Sequence, residues 1–298
     1  MKQYKVAIIG NGMICNAAHI PAYKAMGDKV KIVAVADIRE EAAKETAERH
    51  GIPKYYVDPY KMLEEEKPDI ISVCTPNAYH KEYTLAGFRA GCHVVCEKPV
   101  AVTCADAEEM FNAAEKAGKH LFVIQSLRFT GNFKAAAGLA KSGCLGDIYY
   151  ADLNLVRRRG VPRWGMFHMA KENVGGAFCD LGVHMCDYLM SISGNPKMVS
   201  VSGSAVTRIV NKEKNIEFSN AESGAPTGLF TPRKFDMKEF DVEEFANGYI
   251  RLENGMTVTF KISWALNLPT ATLSASAEQG RLTIGDMDSS CSRRRAIT

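Results

Sequence analysis

The first 126 residues alternate short apolar runs with amphipathic stretches, and this alternation constrains the fold more than any other feature of the sequence. The apolar runs are rich in Val and Ile, whereas the stretches between them repeat apolar side chains at helical spacing. We predict strands at Tyr4–Ile9, Lys31–Ala36, Ile70–Cys74, His93–Cys96 and His120–Gln125, and helices at Glu40–His50, Tyr79–Ala90 and Ala105–Ala117. Repeated strand-helix units of this kind build a doubly wound parallel sheet.

A different pattern begins after about Leu127, where long strand-like runs follow one another with little helix between them. The predicted helices cover residues 133–141 and 182–192, and the predicted strands cover residues 147–156, 198–209, 245–252, 256–264 and 270–277. Asn254-Gly255, between two of these strands, is a strong signal for a tight hairpin. We therefore predict an α/β protein of two domains, a doubly wound Rossmann domain over residues 1–126 and an α+β domain over residues 127–298. The second sheet is expected to be mostly antiparallel, with a surface loop over residues 211–233.

The charge balance and the cysteines exclude several classes of protein. With 37 Lys and Arg against 34 Asp and Glu, the net charge of +3 is too small to indicate a nucleic-acid-binding surface, so we expect a small-molecule ligand. No apolar run approaches the roughly 18 residues that a membrane-spanning helix needs, which favours a soluble protein. The nine cysteines are an odd number and form no CxxC pair, a usage typical of a reducing cytoplasm.

A glycine-rich turn directly follows the first predicted strand. Gly10 and Gly12 stand in the run GNGMIC of residues 10–15, which opens a helix. Backbone amides at a helix start bind a pyrophosphate, and residues without side chains let the phosphates approach. Cys15 replaces the third glycine of the dinucleotide pattern but is still small. The motif predicts a dinucleotide site; the alternative is a strand-to-helix turn that carries glycines for geometry alone.

Asp37 ends the second predicted strand, somewhat beyond the roughly 20-residue spacing usual for the acid that binds the ribose hydroxyls. A carboxylate at this place repels a 2′-phosphate, so NAD is favoured over NADP. Arg39 lies close enough to leave use of NADP open. The alternative interpretation makes Asp37 the N-cap of the next helix.

Two further predicted strands end in polar motifs. Cys74-Thr75-Pro76-Asn77 closes one strand and Glu97-Lys98-Pro99 closes the next, both at the carboxyl edge where doubly wound sheets bind ligands. An ammonium group at Lys98 is suited to hydrogen-bond a substrate oxygen and to stabilise negative charge that develops on it. The alternative is an ordinary exposed lysine paired with Glu97.

One histidine between two acids forms the strongest local constellation. If the chain is helical from near Asp180, the side chains of Asp180, His184 and Asp187 fall within about 60° of one another around the helix. A carboxylate raises the basicity of an imidazole and fixes its orientation, which suits a general base. A solvated helix face is one alternative. A metal site that includes His168, Cys179 and Cys186 is another, but both cysteines project about 100° away from the Asp180 and His184 direction, so we predict no metal.

The segment from Arg157 to Gly165 carries four arginines and a tryptophan. It is suited to form a substrate wall, in which Trp164 offers a flat face to a sugar ring and an arginine binds hydroxyls or an anionic group. A surface loop with solvated arginines is an equal alternative.

Together these motifs resemble the Gfo/Idh/MocA family of nicotinamide-dependent oxidoreductases, which includes inositol dehydrogenases and glucose-fructose oxidoreductase. The matching features are Gly10-x-Gly12 with His19 and Pro21, Cys74-Thr75-Pro76-Asn77 with His80, Glu97-Lys98-Pro99, and Asp180-x-Gly182-x-His184-x-x-Asp187. They occur in family order across roughly residues 3–280. The resemblance implies an NAD-dependent oxidoreductase, with NADP possible, that acts on a secondary hydroxyl or ketone of a sugar or cyclitol in a cleft between the domains.

The resemblance also implies roles for individual residues. The catalytic group it implies is Lys98, Asp180 and His184, and we expect His184 to act as acid and base while Lys98 positions the substrate oxygen. The expected cofactor contacts are Gly10, Gly12, Met13, Ile14, Asp37, Arg39, Thr75, Pro76, Asn77, His80, Glu97 and Lys98. The expected substrate contacts are Lys98, Arg128, Arg163, Trp164, Asp180 and His184. The open face of the second sheet is expected to form a homodimer or homotetramer.

Two rival functions occur among relatives of this kind. Some hydrolyse glycosides by transient oxidation with tightly held NAD, and others are regulators that only sense the dinucleotide. Lys98, Asp180 and His184 argue against a regulator, because a sensor needs no proton-transfer group. A last expectation concerns the segment after about Asp286, which resembles nothing in the family; we expect a shortened or altered, poorly ordered C-terminus.

Overall fold

A computed structural model describes residues 2–210, 226–266 and 270–285 of the chain. These residues form two compact units. The first unit contains the residues up to Ile124, the segment Arg163–Val174 and the segment that ends at Glu239. The second contains Gln125–Pro162, residues 175–210 and the described residues from 240 to 285. The domain boundary near residue 126 stays a prediction.

The first unit contains a six-stranded parallel sheet. Its strands are β1 (Tyr4–Ile9), β2 (Val30–Ala36), β3 (Tyr55–Tyr56), β4 (Ile70–Val73), β5 (His93–Glu97) and β6 (Leu121–Ile124). Their order in the sheet is β3-β2-β1-β4-β5-β6, and each neighbouring pair is parallel. This is the strand order of a doubly wound dinucleotide-binding fold, so the predicted fold class is confirmed. The two-residue strand β3 was not predicted.

Helices connect these strands and bury both faces of the sheet. They are α1 (Ile20–Ala25), α2 (Glu40–His50), α3 (Pro59–Glu66), α4 (His80–Arg89) and α5 (Cys104–Lys116). Side chains alternate between the two faces of a strand, and β1 shows the consequence. Val6 and Ile8 pack into one core with Ile20, whereas Ala7 and Ile9 pack into another with Met62. A strand buried on both faces reads as a continuous apolar run, which is why β1 was predictable.

The second unit contains a mixed six-stranded sheet. Its strands are β7 (Ile148–Val156), β8 (Met198–Val206), β9 (Phe245–Leu252), β10 (Thr257–Ser263), β11 (Thr270–Ala277) and β12 (Gly280–Gly285). The order is β12-β11-β7-β10-β9-β8, and only β7 and β10 run parallel. The expectation of a mostly antiparallel sheet is confirmed, and so is the hairpin at Asn254-Gly255, where Gly255 has φ +84°. Strand β12 was not predicted.

Three more helices complete the described fold: α6 (Gly131–Lys141), the short α7 (Ala170–Asn173) and α8 (Val183–Ile192). Helix α8 packs against β7 and α6 through a buried apolar stripe that includes Met185, Tyr188 and Leu189. The Tyr188 ring stacks on Phe133 of α6 with ring centroids 4.3 Å apart. The side chains of this stripe stand at helical spacing in the sequence.

Several expectations concern chain segments that the structure leaves undescribed. Of the predicted surface loop over residues 211–233, residues 211–225 lie outside the described residues. The C-terminal segment that we expected to be poorly ordered lies outside them from Asp286 onward. Within the described ranges, none of the helices is both long and apolar enough to span a membrane.

Candidate active site

The glycine-rich turn lies where β1 ends beside β2 and β4. The Gly10 amide donates to the Ala36 carbonyl across 2.8 Å, and Gly10 has φ +91°. A Cβ atom at Gly10 would lie 2.6 Å from the carbonyl carbon and oxygen of Cys74, so only glycine fits. Gly12 differs, because a Cβ atom there would meet no described atom within 4 Å. Gly10 therefore serves the fold, whereas Gly12 faces open space at the helix start.

Asp37 ties the end of β2 to this turn. Its Oδ2 accepts from the Asn11 amide at 2.8 Å, and its Oδ1 accepts from the Arg39 amide at 2.9 Å. The Arg39 Nε atom lies 3.6 Å from the same Oδ1. The N-cap position of α2 belongs to Arg39, so the alternative interpretation of Asp37 as that N-cap is wrong. Asp37 instead binds the Asn11 amide of the glycine turn and the Arg39 amide after β2.

The predicted cofactor contacts collect at one edge of the first sheet. They follow the carboxyl ends of four strands: Gly10, Gly12, Met13 and Ile14 after β1, Asp37 and Arg39 after β2, Thr75, Pro76, Asn77 and His80 after β4, and Glu97 and Lys98 at the end of β5. Two buried polar atoms at this edge, Asn11 Oδ1 and Thr75 Oγ1, have no hydrogen-bond partner among the described residues. Unpaired buried polar atoms beside an open helix start fit the polar groups of a dinucleotide.

Glu97 lies in a buried network at the end of β5. Its Oε1 is 2.9 Å from His19 Nε2, and the other ring nitrogen of His19 is 3.2 Å from Ser72 Oγ. Tyr23 closes the network through Ser72 at 2.7 Å. Burial raises the pKa of the Glu97 carboxyl, but the His19 hydrogen bond and the Lys98 charge outweigh burial and leave that pKa below its ordinary value. A buried carboxylate therefore stands directly before Lys98, whose amide donates to Glu97 Oε2.

His80 connects the turns that follow β4 and β5. Its side chain is fully buried, with Nδ1 2.7 Å from the Pro99 carbonyl oxygen and Nε2 3.0 Å from the Thr75 carbonyl oxygen. Burial lowers the pKa of its imidazole. His80 lies between the two turns of the predicted cofactor edge, where its ring N–H donates to the backbone carbonyl of Pro99 or of Thr75.

A contact that sequence reasoning missed fixes Asn77. The Asn77 amide donates to Asn173 Oδ1 at 3.3 Å, and Asn77 Nδ2 donates to the Asn173 carbonyl at 3.1 Å. Both side chains are buried, and Asn173 closes helix α7. The turn after β4 is thus held by a segment nearly 100 residues further along the chain.

In the second unit, the Asp180 and His184 helix begins as a π-helical turn over Phe178–Gly182 and continues as α8. The chain is thus helical from near Asp180, but the first turn is π-helical, whereas the spacing argument used the angles of a regular α-helix. Gly182 permits the wider turn, because a Cβ atom at that position would lie 2.8 Å from the Phe178 ring. Such π-helical turns are frequent at functional sites.

Trp264 anchors the Asp180 carboxylate. This tryptophan follows β10, is fully buried, and donates from Nε1 to Asp180 Oδ2 at 3.0 Å. Its backbone is held on both sides, by the Glu244 carbonyl at 2.9 Å and the Gly160 amide at 2.7 Å. Sequence reasoning missed this partner; a tryptophan at the carboxyl end of a strand was the available signal.

Asp187 and Arg128 form a bidentate ion pair. Arg128 Nε donates to Asp187 Oδ2 at 2.7 Å, and Nη2 donates to Oδ1 at 2.6 Å. The Asp187 hydrogen bonds raise the pKa of the Arg128 guanidinium. The sequence interpretation placed Asp187 beside His184 and did not anticipate this pairing. The ion pair orients an exposed guanidinium that was expected to contact substrate.

The arginine-rich segment divides between the two units. Arg157–Pro162 belongs to the second unit, where the Arg157 amide donates to the Ser263 carbonyl at 2.9 Å. Arg163 and Trp164 belong to the first unit. There the Arg163 guanidinium lies 5.0 Å from the centre of the Phe235 ring, and the Trp164 ring meets Phe167 edge-on.

The side chains that were considered as metal ligands have other neighbours in the structure. His168 is fully buried, with Nε2 3.7 Å from Glu239 Oε2. Burial raises the pKa of the Cys186 thiol to about 11. In the part of the chain that the structure describes, His, Cys, Asp and Glu side chains form no group of three or more that could hold a metal ion.

Comparison with family models matches both halves of the chain. Residues 4–125 match the model described as an oxidoreductase family with an NAD-binding Rossmann fold, and residues 133–283 match the GFO/IDH/MocA C-terminal domain. The two matches together cover most of the chain.

Two curated relatives are dehydrogenases. The D-glucoside 3-dehydrogenase of Escherichia coli strain K12 is 35% identical over 264 residues, which are 89% of this chain and 71% of that protein. The myo-inositol 2-dehydrogenase of Thermotoga maritima is 30% identical over 190 residues, 64% of this chain and 55% of that protein. The chain therefore spans only about half the length of this second relative.

The fold is also similar to solved structures. The WlbA dehydrogenase from Bordetella pertussis, crystallised with NADH and UDP-GlcNAcA, superposes with a TM-score of 0.78 at 21% identity, covering 96% of this chain and 79% of that one. At this identity the likeness is one of fold.

Proposed function

The chain belongs to the Gfo/Idh/MocA oxidoreductase family, and from this premise we propose that it is an NAD-dependent dehydrogenase acting on a secondary hydroxyl, or the matching ketone, of a sugar or cyclitol. The observation that carries the proposal is the Trp264 hydrogen bond to Asp180, because it fixes a carboxylate on the helix that also carries His184. The sugar and inositol dehydrogenases among the relatives support this substrate class.

The first unit supplies the cofactor site in this proposal. The amides at the Gly12 helix start hold the pyrophosphate, and the Asn11 and Thr75 side chains offer polar atoms beside it. The Asp37 carboxylate favours NAD, because a negative charge at the end of β2 repels a 2′-phosphate. Use of NADP depends on Arg39, whose guanidinium lies beside that carboxylate.

The proton and the substrate oxygen are handled by two side chains. When bound, the nicotinamide ring supplies the acceptor or the donor of hydride. His184 takes the hydroxyl proton at a ring nitrogen during oxidation and returns it during reduction. Lys98 donates a hydrogen bond from Nζ to the reacting oxygen and stabilises negative charge on it. Asp180, four residues before His184, supplies a carboxylate that favours the protonated imidazole.

Three further side chains are proposed to select the substrate. The Arg128 guanidinium, oriented by Asp187, is suited to bind ring hydroxyls. Arg163 and Trp164 provide a guanidinium and a flat aromatic face of the kind that sugar rings contact.

The open face of the second sheet is the proposed interface of a homodimer or homotetramer. Polar side chains cover this face and bond to one another, with Thr259 Oγ1 2.7 Å from Asp152 Oδ1 and 2.8 Å from Tyr150 Oη. A Thr259→Arg variant should dissociate the oligomer in analytical ultracentrifugation. A wild-type protein that sediments as a monomer would reject this part of the proposal.

A cytoplasmic location is proposed from the thiols. Cys15, Cys74, Cys92 and Cys96 are free and buried in the first unit, a usage typical of a reducing compartment.

The test of the function is turnover of a panel of inositols, glycosides and free sugars with NAD or NADP, followed by the absorbance of the reduced cofactor. Calorimetry with each cofactor runs alongside. We expect net cofactor reduction with one class of polyol, and loss of that reduction in His184→Ala and Lys98→Ala. Release of sugar from a glycoside without net reduction would favour a hydrolase with NAD as a recycled cofactor. Binding of NAD without any reaction would favour a sensor.

A further inference from the structure

One residue, Glu243, binds three consecutive backbone amides at the start of the Asp180 and His184 helix. The Gly176 amide donates to Glu243 Oε2 at 2.8 Å, and the Phe178 amide donates to Oε1 at 2.9 Å. Between them, the Ala177 amide donates to the Glu243 backbone carbonyl at 3.0 Å. The first amides of a helix have no partner within the helix. Glu243 supplies a hydrogen-bond acceptor to each of these three amides from outside the helix.

Gly176 makes this contact possible, and a second glycine, Gly175, stands directly before it. A Cβ atom at Gly176 would overlap the Glu243 carbonyl oxygen. A Cβ atom at Gly175 would overlap the sulfur of Cys179 and lie 3.8 Å from Glu243 Oε2. Gly176 is therefore required by the close approach of Glu243, whereas Gly175 is required by the side chain of Cys179.

The charge of Glu243 matches its position. The amino end of a helix carries partial positive charge, so a carboxylate is stabilising there. Hydrogen bonds from amides to an ionised carboxylate are stronger than those to a neutral oxygen. Losing the charge should therefore loosen the first helical turn even where the shape of the side chain is kept.

The neighbouring residue, Glu244, binds the backbone of Trp264, the residue that anchors Asp180. Its side chain is 1% exposed and accepts from the amides of residues 208–210 at 2.8, 2.5 and 2.7 Å. Its backbone carbonyl accepts from the Trp264 amide at 2.9 Å, and the Trp264 indole in turn binds Asp180. Glu243 thus fixes the start of the helix. Glu244 fixes the backbone of Trp264, whose indole binds Asp180 on that helix.

We propose that Glu243 is a positioning residue, which sets the orientation of Asp180 and His184 by capping their helix from the start of β9. The role in catalysis rests on the proposed dehydrogenase function, whereas the effect on His184 itself does not. Glu243 acts through the backbone of residues 176–178 and is not assigned a contact with substrate.

The test compares three variants of the full chain. Glu243→Gln keeps the shape but loses the charge, Glu243→Asp keeps the charge but loses reach, and Glu253→Gln is the matched control. Glu253 also accepts from a backbone amide, that of Lys197 at 2.9 Å, but it follows the far end of β9. We expect kcat to fall about ten-fold in Glu243→Gln with KM changed less than about two-fold. The reason is that the lost charge changes the orientation of Asp180 and His184 rather than the binding of substrate. Glu253→Gln should match the wild type.

Two readouts do not depend on activity. In protein labelled at its seven histidines, NMR follows the His184 imidazole through a pH titration, with His184→Gln to assign its signal. Hydrogen exchange reports the amides of residues 176–178. We expect Glu243→Gln to shift the His184 midpoint and to speed exchange at these amides at least about ten-fold, whereas Glu253→Gln changes neither.

An unchanged His184 midpoint together with wild-type exchange in Glu243→Gln would overturn the proposal. So would an equal fall of kcat in Glu253→Gln, which would point to a general loss of stability. If the wild type reduces no cofactor with any sugar, the dehydrogenase assignment fails, but the titration and the exchange still decide the role of Glu243. If Glu243→Asp does not fold, Glu243→Gln alone gives the same decision.

Discussion

The Trp264 indole donates a hydrogen bond to the Asp180 carboxylate across 3.0 Å, although the two residues stand 84 positions apart in the sequence. Trp264 is fully buried and its backbone is held on both sides, so it has little freedom to move. A carboxylate held this firmly is suited to orient a neighbouring proton-transfer group.

Trp264→Phe should preserve most of the buried aromatic volume while removing the N–H donor. A hydrogen bond to a charged group is worth about 1.5–3 kcal/mol, so we expect kcat to fall by about ten-fold or more with a smaller change in KM. Steady-state kinetics checks the effect. Tyr188→Phe is the matched control, because it removes a buried hydroxyl on α8 that donates to the Leu127 carbonyl at 2.7 Å. It should lower stability but leave kcat near the wild-type value; similar kcat losses in both variants would refute an orienting role for Trp264.

The two glycines of the first turn should respond differently to the same substitution. Gly10→Ala forces a Cβ atom to within 2.6 Å of the Cys74 backbone at a positive φ, so we expect the free energy of unfolding to fall by several kcal/mol. Gly12→Ala meets open space, so the fold should persist while NAD binding weakens at least about ten-fold. Urea unfolding and calorimetry separate the two effects. Normal NAD affinity in Gly12→Ala would place the pyrophosphate elsewhere.

Asp37→Asn should change the choice of cofactor. The substitution removes a charge that repels a 2′-phosphate and weakens the bonds from the Asn11 and Arg39 amides. We expect NAD affinity to fall about ten-fold and the ratio of NADP to NAD affinity to rise. Calorimetry with both cofactors measures the ratio. Asp58→Asn is the control, since Asp58 caps α3 in the same unit. A ratio unchanged by Asp37→Asn would remove Asp37 from cofactor selection.

The Glu97 and His19 pair should make stability depend on pH in acid. The pKa of the folded Glu97 carboxyl lies below its ordinary value of 4.5, so the ionised form stabilises the fold. This stabilisation is complete above the unfolded pKa and is lost as the pH falls through the folded pKa. Glu97→Gln should therefore be less stable than the wild type near neutral pH, and the difference should shrink below about pH 4. Urea unfolding at a series of pH values checks this; a difference that grows toward low pH would reverse the assigned sign.

The sequence predicted the first sheet well because its information is local. Strands buried on both faces, such as β1, are continuous apolar runs, and glycines such as Gly51 mark helix ends. Strand β12 was missed although it pairs locally with β11. Strand β3 escaped prediction because it is only two residues long and pairs with β2, which lies well before it in the sequence. Distance in sequence also hid the partners of predicted site residues.

Three partnerships show this limit. Asn173 holds Asn77, Trp264 holds Asp180, and Arg128 binds Asp187, all across long sequence separations. Helical spacing placed Asp180, His184 and Asp187 on one segment, but it assumed a regular α-helix and could not foresee the π-helical turn. Only tertiary contacts show which carboxylate is anchored and which is paired.

The most direct test of the proposed dehydrogenase activity is the absorbance of NADH formed from NAD and a D-glucoside or inositol. It is measured for the wild type, His184→Ala and Lys98→Ala, with NAD affinity measured in all three. We expect net NADH formation by the wild type and its loss, by about 100-fold or more, in His184→Ala, whose NAD affinity stays near that of the wild type. An unchanged rate and pH profile in His184→Ala, or NAD binding by the wild type without NADH formation from any sugar or cyclitol, would contradict this expectation.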